Sequence, residues 1–279
     1  MKVYKTIKLY IGGKFPRTES GRSFRQFFHK TDKTYAHLCQ ASRKDLRAAV
    51  EAARKAQPAW QARPAFNRSQ ILYRMAEMLE GKRAEFEQLF KDTLGYTKAK
   101  SDKEIDAAID AFVYYAGFAD KYQQLSSTVN PTNTPHHNFT MPEPVGVTTL
   151  ICADKLSFGK LAADIAGIIC SGNSVIVLLG KECPAVLAPL AEVFATSDLP
   201  GGVINLLTGD LKELYKHLAS HMEIHSISFQ NESEKLFYEM KDLAIDNMKR
   251  MVPMTKTELC VEKILQFVEY KTVWHPVGL

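Results

Sequence analysis

Between residues 147 and 244 the chain alternates four times between a short apolar run and a segment of helix length. Runs of five or six residues bounded by turns read as strands buried on both faces. Strands are expected over 147–152, 174–179, 203–208 and 225–229. Helices are expected over 158–170, 186–196, 211–221 and 233–244. Strands separated by whole helices cannot pair as tight hairpins. They pair through crossovers, which makes the sheet parallel and covers both of its faces with helices. The expected class is therefore α/β.

The residues ahead of this rhythm read differently. Tyr10-Ile11-Gly12-Gly13-Lys14-Phe15 suggests strand, tight turn, strand, because glycine supplies positive φ without strain. Three helices should follow. Ser42 with Asp45 caps the first, whose face of Leu46, Val50, Ala53 and Gln57 should stop at Pro58. The second should run over 66–91, and the third should open on a capping box at Ser101 and Glu104. A polar stretch over 125–135, with Asn130-Pro131 and Thr134-Pro135, is the clearest break in composition. Extended structure is expected over 138–141, where Pro142 and Pro144 restrict it to an edge. The tail over 268–274 alternates, with Val268, Tyr270, Thr272 and Trp274 on one face. There is no internal repeat and no low-complexity tract.

Composition narrows the function classes. Hydrophobic residues make up 46% of 279, enough for one large core or two modest ones, and 24% are charged. The net charge of +5 is spread thinly, and its densest runs sit beside acids. That pattern reads as solvated helix faces, not a nucleic-acid footprint. The apolar runs are too short to span a bilayer, and the N-terminus lacks the apolar core of a secretory signal. Five widely spaced cysteines, with no CxxC, point to a reducing compartment, and a cytoplasmic location is the expectation. Cys152 and Cys170 read as small core residues. His217, His221 and His225 recur every four residues, but no third ligand is evident for a metal. Trp274, His275 and Pro276 read as aromatic packing of a terminal strand.

Several segments, in order, resemble the aldehyde dehydrogenase superfamily. They are 49–60 with Arg68 and Ile71-Leu72; Glu143-Pro144-Val145-Gly146-Val147; Ser171-Gly172-Asn173 and the strand after it; Leu199-Pro200-Gly201-Gly202 with Thr208-Gly209-Asp210; and 268–274. The resemblance implies a Rossmann-like cofactor domain over 1–125 and 147–260, with an N-terminal helical layer. It also implies a small, discontinuous β flap for oligomerisation over 126–146 and 261–279. The catalytic domain is expected to be absent, because too few residues lie between Arg250 and Lys271 to hold one. This abridged layout resembles the non-catalytic second domain of two-domain, family-sixteen aldehyde dehydrogenases.

The departures from the family pattern concern chemistry. No Gly-Gln pair precedes a cysteine, so the family's nucleophile has no counterpart; Cys260 is nearest by position. Lys155 stands where the family places an oxyanion-binding Asn. Leu178 and Lys181 stand where a Lys and a Glu hold the adenosine ribose. Asn231 and Leu236 fall at the glycines of the phosphate turn, and Glu232 and Glu234 bring negative charge there. The motif carrying the general base is missing, with Met254 or Glu258 nearby. No intact cofactor site is therefore expected: Lys155, Leu178, Lys181, Asn231 and Leu236 are vestigial cleft positions. The implied role is a pseudoenzyme, a structural or regulatory subunit pairing with itself or with a full-length aldehyde dehydrogenase. Two alternatives stand beside it. One is an NAD(P) or nucleotide binder with an altered cleft, in which Lys155 and Lys181 serve an anion. The other is a partial oxidoreductase completed by a second chain.

Overall fold

The structure is a computed structural model and describes residues 4–253 and 258–278. Its N-terminal strands β1 (Thr6–Ile7), β2 (Ser23–Phe27) and β3 (Thr34–Cys39) form a small sheet in the order β1-β3-β2. The tight turn lies between β1 and β2, where Ile11 and Lys14 exchange two 3.0 Å backbone bonds across Gly12 and Gly13. Both glycines have positive φ, +62° and +76°. The flanking residues make only isolated bridges, and Tyr10 pairs with Leu206 of the main sheet.

The helical layer differs from expectation in three places. Helix α1 (Arg43–Gln61) opens on a reciprocal cap, with Asp45 N donating to Ser42 Oγ and Ser42 N to Asp45 Oδ2. Pro58 does not stop it. The last turn continues and buries Trp60, whose Nε1 donates to Ile169 O at 2.9 Å. An interior proline costs about 3 kcal/mol. Burying an indole removes roughly 150–250 Å² from water, worth about 4–6 kcal/mol, so packing outweighs the break. The second helix is two, α2 (Ala65–Gly81) and α3 (Arg83–Leu94), divided at Lys82 just after Gly81. Helix α4 (Lys98–Phe118) starts before the predicted capping box. Thr97 caps it, and Ser101 is buried a turn inside. Glu104 serves a distant helix instead, as described below. Helix α5 (Tyr122–Ser126) leads into the flap.

Strands β4 (Thr128–Asn130) and β5 (His136–Pro144) precede the alternating region. That region is β6 (Val147–Ile151), α6 (Phe158–Cys170), β7 (Ser174–Leu178), α7 (Leu187–Ala195), β8 (Ile204–Leu207), α8 (Leu211–Ser220), β9 (Ser226–Phe229) and α9 (Glu234–Leu243). A 3-10 turn, Pro184–Val186, precedes α7. Strand β10 (Arg250–Val252) adds to the sheet, whose order is β10-β9-β6-β7-β8 with every pairing parallel. Alternate side chains of β7 build two cores. Val175 and Val177 join α2, α4, α6 and α7 on one face, and Ile176 and Leu178 join α1, α8 and α9 on the other.

The chain closes with α10 (Glu262–Leu265) and β11 (Val268–Pro276). β11 pairs antiparallel with β5, and β5 with β4, in the order β11-β5-β4. β5 is therefore central and not an edge. Its prolines are tolerated because β4 pairs only with 138–140. Pro142 and Pro144 face β11 alone and leave their nitrogens on the unpaired side.

Candidate functional site

In parallel α/β sheets, ligands sit beyond the carboxyl ends of the strands. In this protein that edge is formed by the loops after β6, β7, β8 and β9. The five expected cleft positions do not converge there.

Leu178 ends β7 at 3% exposure and belongs to one apolar cluster with Ile151, Leu207 and Phe229. Leu236, Phe237, Leu211 and Tyr215 pack against that cluster. Leu178 and Leu236 are thus parts of one packed seam that fastens α8 and α9 to the sheet. Asn231 forms a local turn, its Oδ1 accepting from Ser233 N at 3.1 Å, and Ser233 Oγ accepts from Leu236 N at 3.4 Å. The first turn of α9 is therefore capped by its own side chains, with Glu234 within it.

Lys155 is exposed and lines a small pocket of about 40 Å³ beside Cys152 and Lys160. Lys181 lines a different, larger cleft of about 740 Å³ and lies 3.9 Å from Asp210. Gly180 lies on the wall between them, where a Cβ would come within 1.9 Å of Ala153 O. Only glycine lets these loops touch, and the two lysines line pockets on either side of the contact.

The chain's own acids take up the exposed amides of this edge. Glu104 Oε2 accepts from Phe158 N at 2.7 Å and Gly159 N at 3.2 Å, filling the N-terminus of α6. Glu182 Oε2 accepts from Leu156 N at 2.7 Å, and Glu232 Oε2 reaches Asp154 N at 3.5 Å. Asp210 caps α8 through Lys212 N at 3.1 Å. Carboxylates at these N–H groups satisfy the charge preference that an anionic ligand would otherwise exploit.

Sequence reading missed one polar cluster. Asp164 binds Lys160 Nζ at 2.7 Å and Lys263 Nζ at 2.6 Å, and Lys160 Nζ also donates to Gln230 Oε1 at 2.8 Å. Asp164 is 7% exposed and Lys263 4%. Burial pulls the Lys160 ammonium below its usual value, against the opposing pull of Asp164. The available signal was an aspartate inside the apolar Leu-Ala-Ala-Asp-Ile-Ala-Gly of α6, four residues after a lysine. Lys263 comes from α10, so the cluster fastens the return toward β11 onto the core.

Burial keeps three of the five cysteines as thiols. Burial pushes the Cys170 thiol up to about 12 and the Cys183 thiol to about 11, and raises Cys152 further. Cys260 is half-buried, with its carbonyl accepting from Tyr115 Oη at 3.2 Å. Glu258 is exposed, and Met254 lies outside the described residues. Among the described residues no group of three or more His, Cys, Asp or Glu is placed to hold a metal. Two histidines of the series hold backbone bonds: His225 Nδ1 accepts from Val147 N at 2.9 Å and His221 Nδ1 from Glu223 N at 3.2 Å. No described helix is long and apolar enough to cross a membrane.

Comparison with known proteins matches the fold and its order of elements. The aldehyde dehydrogenase family model matches residues 16–253. The mitochondrial benzaldehyde dehydrogenase of Antirrhinum majus is 29% identical over 230 residues, 81% of this chain and 42% of the relative. The NADP(+) D-glyceraldehyde dehydrogenase of Thermoplasma acidophilum is 27% identical, covering 79% of this chain and 44% of its own. Among solved structures, the NAD+ complex of a Bacillus cereus aldehyde dehydrogenase superposes with a TM-score of 0.83 at 25% identity. It covers 89% of this chain and 50% of its own. The chain thus spans about half the length of the relatives it matches, and it belongs to the aldehyde dehydrogenase family.

Proposed function

We propose that this chain is a non-catalytic member of the family that acts as a structural or regulatory subunit. It assembles through its three-stranded flap and does not oxidise aldehydes by itself. The observation that carries this reading is the state of β11. One edge of this nine-residue strand pairs along its length with β5. Its other edge pairs with no strand among the described residues. An open edge is a template for strand addition.

Both faces of the flap suit a partner. Tyr270 and Trp274 are 53% and 59% exposed on one face. On the other, Val273, Phe139 and Val129 lie in register across the three strands. Apolar rows of this kind are costly to leave in water. The packed seam of Leu178 and Leu236 and the carboxylates at the loop amides support the absence of a cofactor role. The partner is a second copy or a full-length aldehyde dehydrogenase.

Light scattering tests this directly. The purified chain alone, or mixed with a full-length family member, should give a mass above the monomer. Tyr270→Asp with Trp274→Asp should reduce it to the monomer while the thermal midpoint of the folded chain stays close to the parent's. A monomeric mass in both settings, or an assembly untouched by the double substitution, would contradict the proposal.

A further inference from the structure

One cleft among the described residues is not explained by the packed seam of Leu178 and Leu236 or by the flap. It lies beyond the carboxyl ends of β7 and β8, between Gly180-Lys181, Gly209-Asp210 and the turn joining β2 to β3. Its volume of about 740 Å³ falls in the range of small-molecule sites, about 300–1,000 Å³.

The floor and walls are apolar and aromatic. Leu179, 5% exposed, and buried Pro184 form part of the base. Phe24, Phe27 and Phe28 come from β2 and the residue after it. Phe28 is braced edge-on by Tyr35 at 5.2 Å, and the Arg25 guanidinium lies 5.1 Å from the Phe27 ring.

Cationic and donor groups gather at the rim. Arg25, Lys30 and Lys181 line it together with Asp32 and Asp210. Asp210 is already engaged by Lys212 N and Lys181, whereas Arg25 and Lys30 make no ion pair among the described residues. The turn is held in place. His29 N donates to Asp92 O at 2.7 Å, and the His29 ring occupies the space beside Gly95, where a Cβ would lie 2.3 Å from Cδ2. Lys30 adopts φ +52°, a conformation unfavourable for a lysine, so the turn holds it against local preference.

We infer that this cleft binds a small acidic molecule with a planar apolar body, its anionic head on Arg25 and Lys181 and its ring among Phe24, Phe27 and Phe28. The physical grounds are a concave apolar surface with convergent cations and fixed walls. Guanidinium suits carboxylate and phosphate alike. Of the vestigial cofactor positions the site includes Lys181 alone, since Lys155 lines the other pocket and Leu178 is packed away.

Calorimetric titration of the full chain with 2-naphthoate and with phenyl phosphate tests the inference and distinguishes a carboxylate from a phosphate head. Saturable one-to-one binding of either probe is expected. It should weaken tenfold or more in Arg25→Met and in Lys181→Met and be unchanged in Lys155→Met. These side chains are exposed, so the thermal midpoints of the variants should match the parent. Absence of saturable binding by both probes would overturn the inference. So would binding indifferent to Arg25 and Lys181, or binding lost on Lys155→Met.

Discussion

The two ends of the same parallel strands have opposite characters. At the amino end, the Gly-Asn turn before β7 is a fully used polar joint. Asn173 is 0% exposed, and its Nδ2 donates to Phe267 O and Ser171 Oγ, both at 2.8 Å. Its Oδ1 accepts from Gly146 N at 2.7 Å. One amide therefore ties the turn into β6 to the residue that precedes β11. Gly146, at φ +122°, leaves room for His225, since a Cβ would lie 2.6 Å from its Nδ1. At the carboxyl end, Leu178 is packed in a core, half-buried Leu236 lies against it, and acids sit on the loop amides. The joint that places the flap is intact, whereas at the carboxyl edge Leu178 is packed and several loop amides are bonded by the chain's own acids. A fold kept for its flap needs the first and not the second, which is the contrast the proposed function requires.

The sharpest break of this contrast is Asn173→Ala. It strands the Gly146 N–H in the interior, at about 1–3 kcal/mol, and removes one of two bonds to the Phe267 carbonyl, which keeps Val145 N at 3.2 Å. With the lost bond at about 1 kcal/mol, a loss of about 2–4 kcal/mol is expected from urea unfolding, together with loss of assembly. An unchanged midpoint would show that the joint is not what holds the flap.

Leu178→Lys asks the same question at the other end. If Leu178 is core, an ammonium at a 3% exposed site should cost about 3 kcal/mol. A cleft still open to a ribose would accept the lysine with little change in the urea midpoint.

A smaller effect follows from pH. Burial, reinforced by nearby cations, lowers both His221 and His225 below the free value of 6.5. A base lowered on folding gives stability that is complete above 6.5 and is lost as pH falls through the folded value. The urea midpoint should therefore drop between about pH 7 and about pH 5. His225→Gln should flatten the drop, because His225 Nδ1 must stay unprotonated to accept from Val147 N. Lys249, buried with its Nζ donating to His221 O at 2.8 Å, falls to about 8. Stability should rise again from about pH 8 toward 10.5, and Lys249→Met should abolish that rise. A flat profile across both ranges would contradict these assignments.

How much could be read in the sequence follows the same division. The parallel strands and their helices were legible because an apolar run of five residues buried on two faces has few other uses. β10 was not, since Arg250-Met251-Val252 is too short to register as a strand. β2 was equally hidden, because only Gln26 of its five residues is buried. Pro58 and Ser101 misled for one physical reason: local preference yielded to tertiary contacts, made by Trp60 in one case and by Glu104 in the other. At the candidate site, the substitutions at Leu178, Lys181, Asn231 and Leu236 were visible as residue types. That Lys155 and Lys181 line different pockets was not, since Gly180 and the contact it permits with Ala153 exist only in three dimensions. The cluster of Lys160, Asp164 and Lys263 joins residues 99 positions apart, beyond any local pattern.

The most direct test is a calorimetric titration of the purified chain with NAD+ and NADP+. With Leu178 and Leu236 packed and the loop amides held by Glu104, Glu182 and Glu232, no saturable heat is expected up to millimolar cofactor. Saturable binding at micromolar cofactor that persists in Arg25→Met would contradict the account, because a cofactor site other than the cleft at Arg25 would then still work at the carboxyl edge of the sheet.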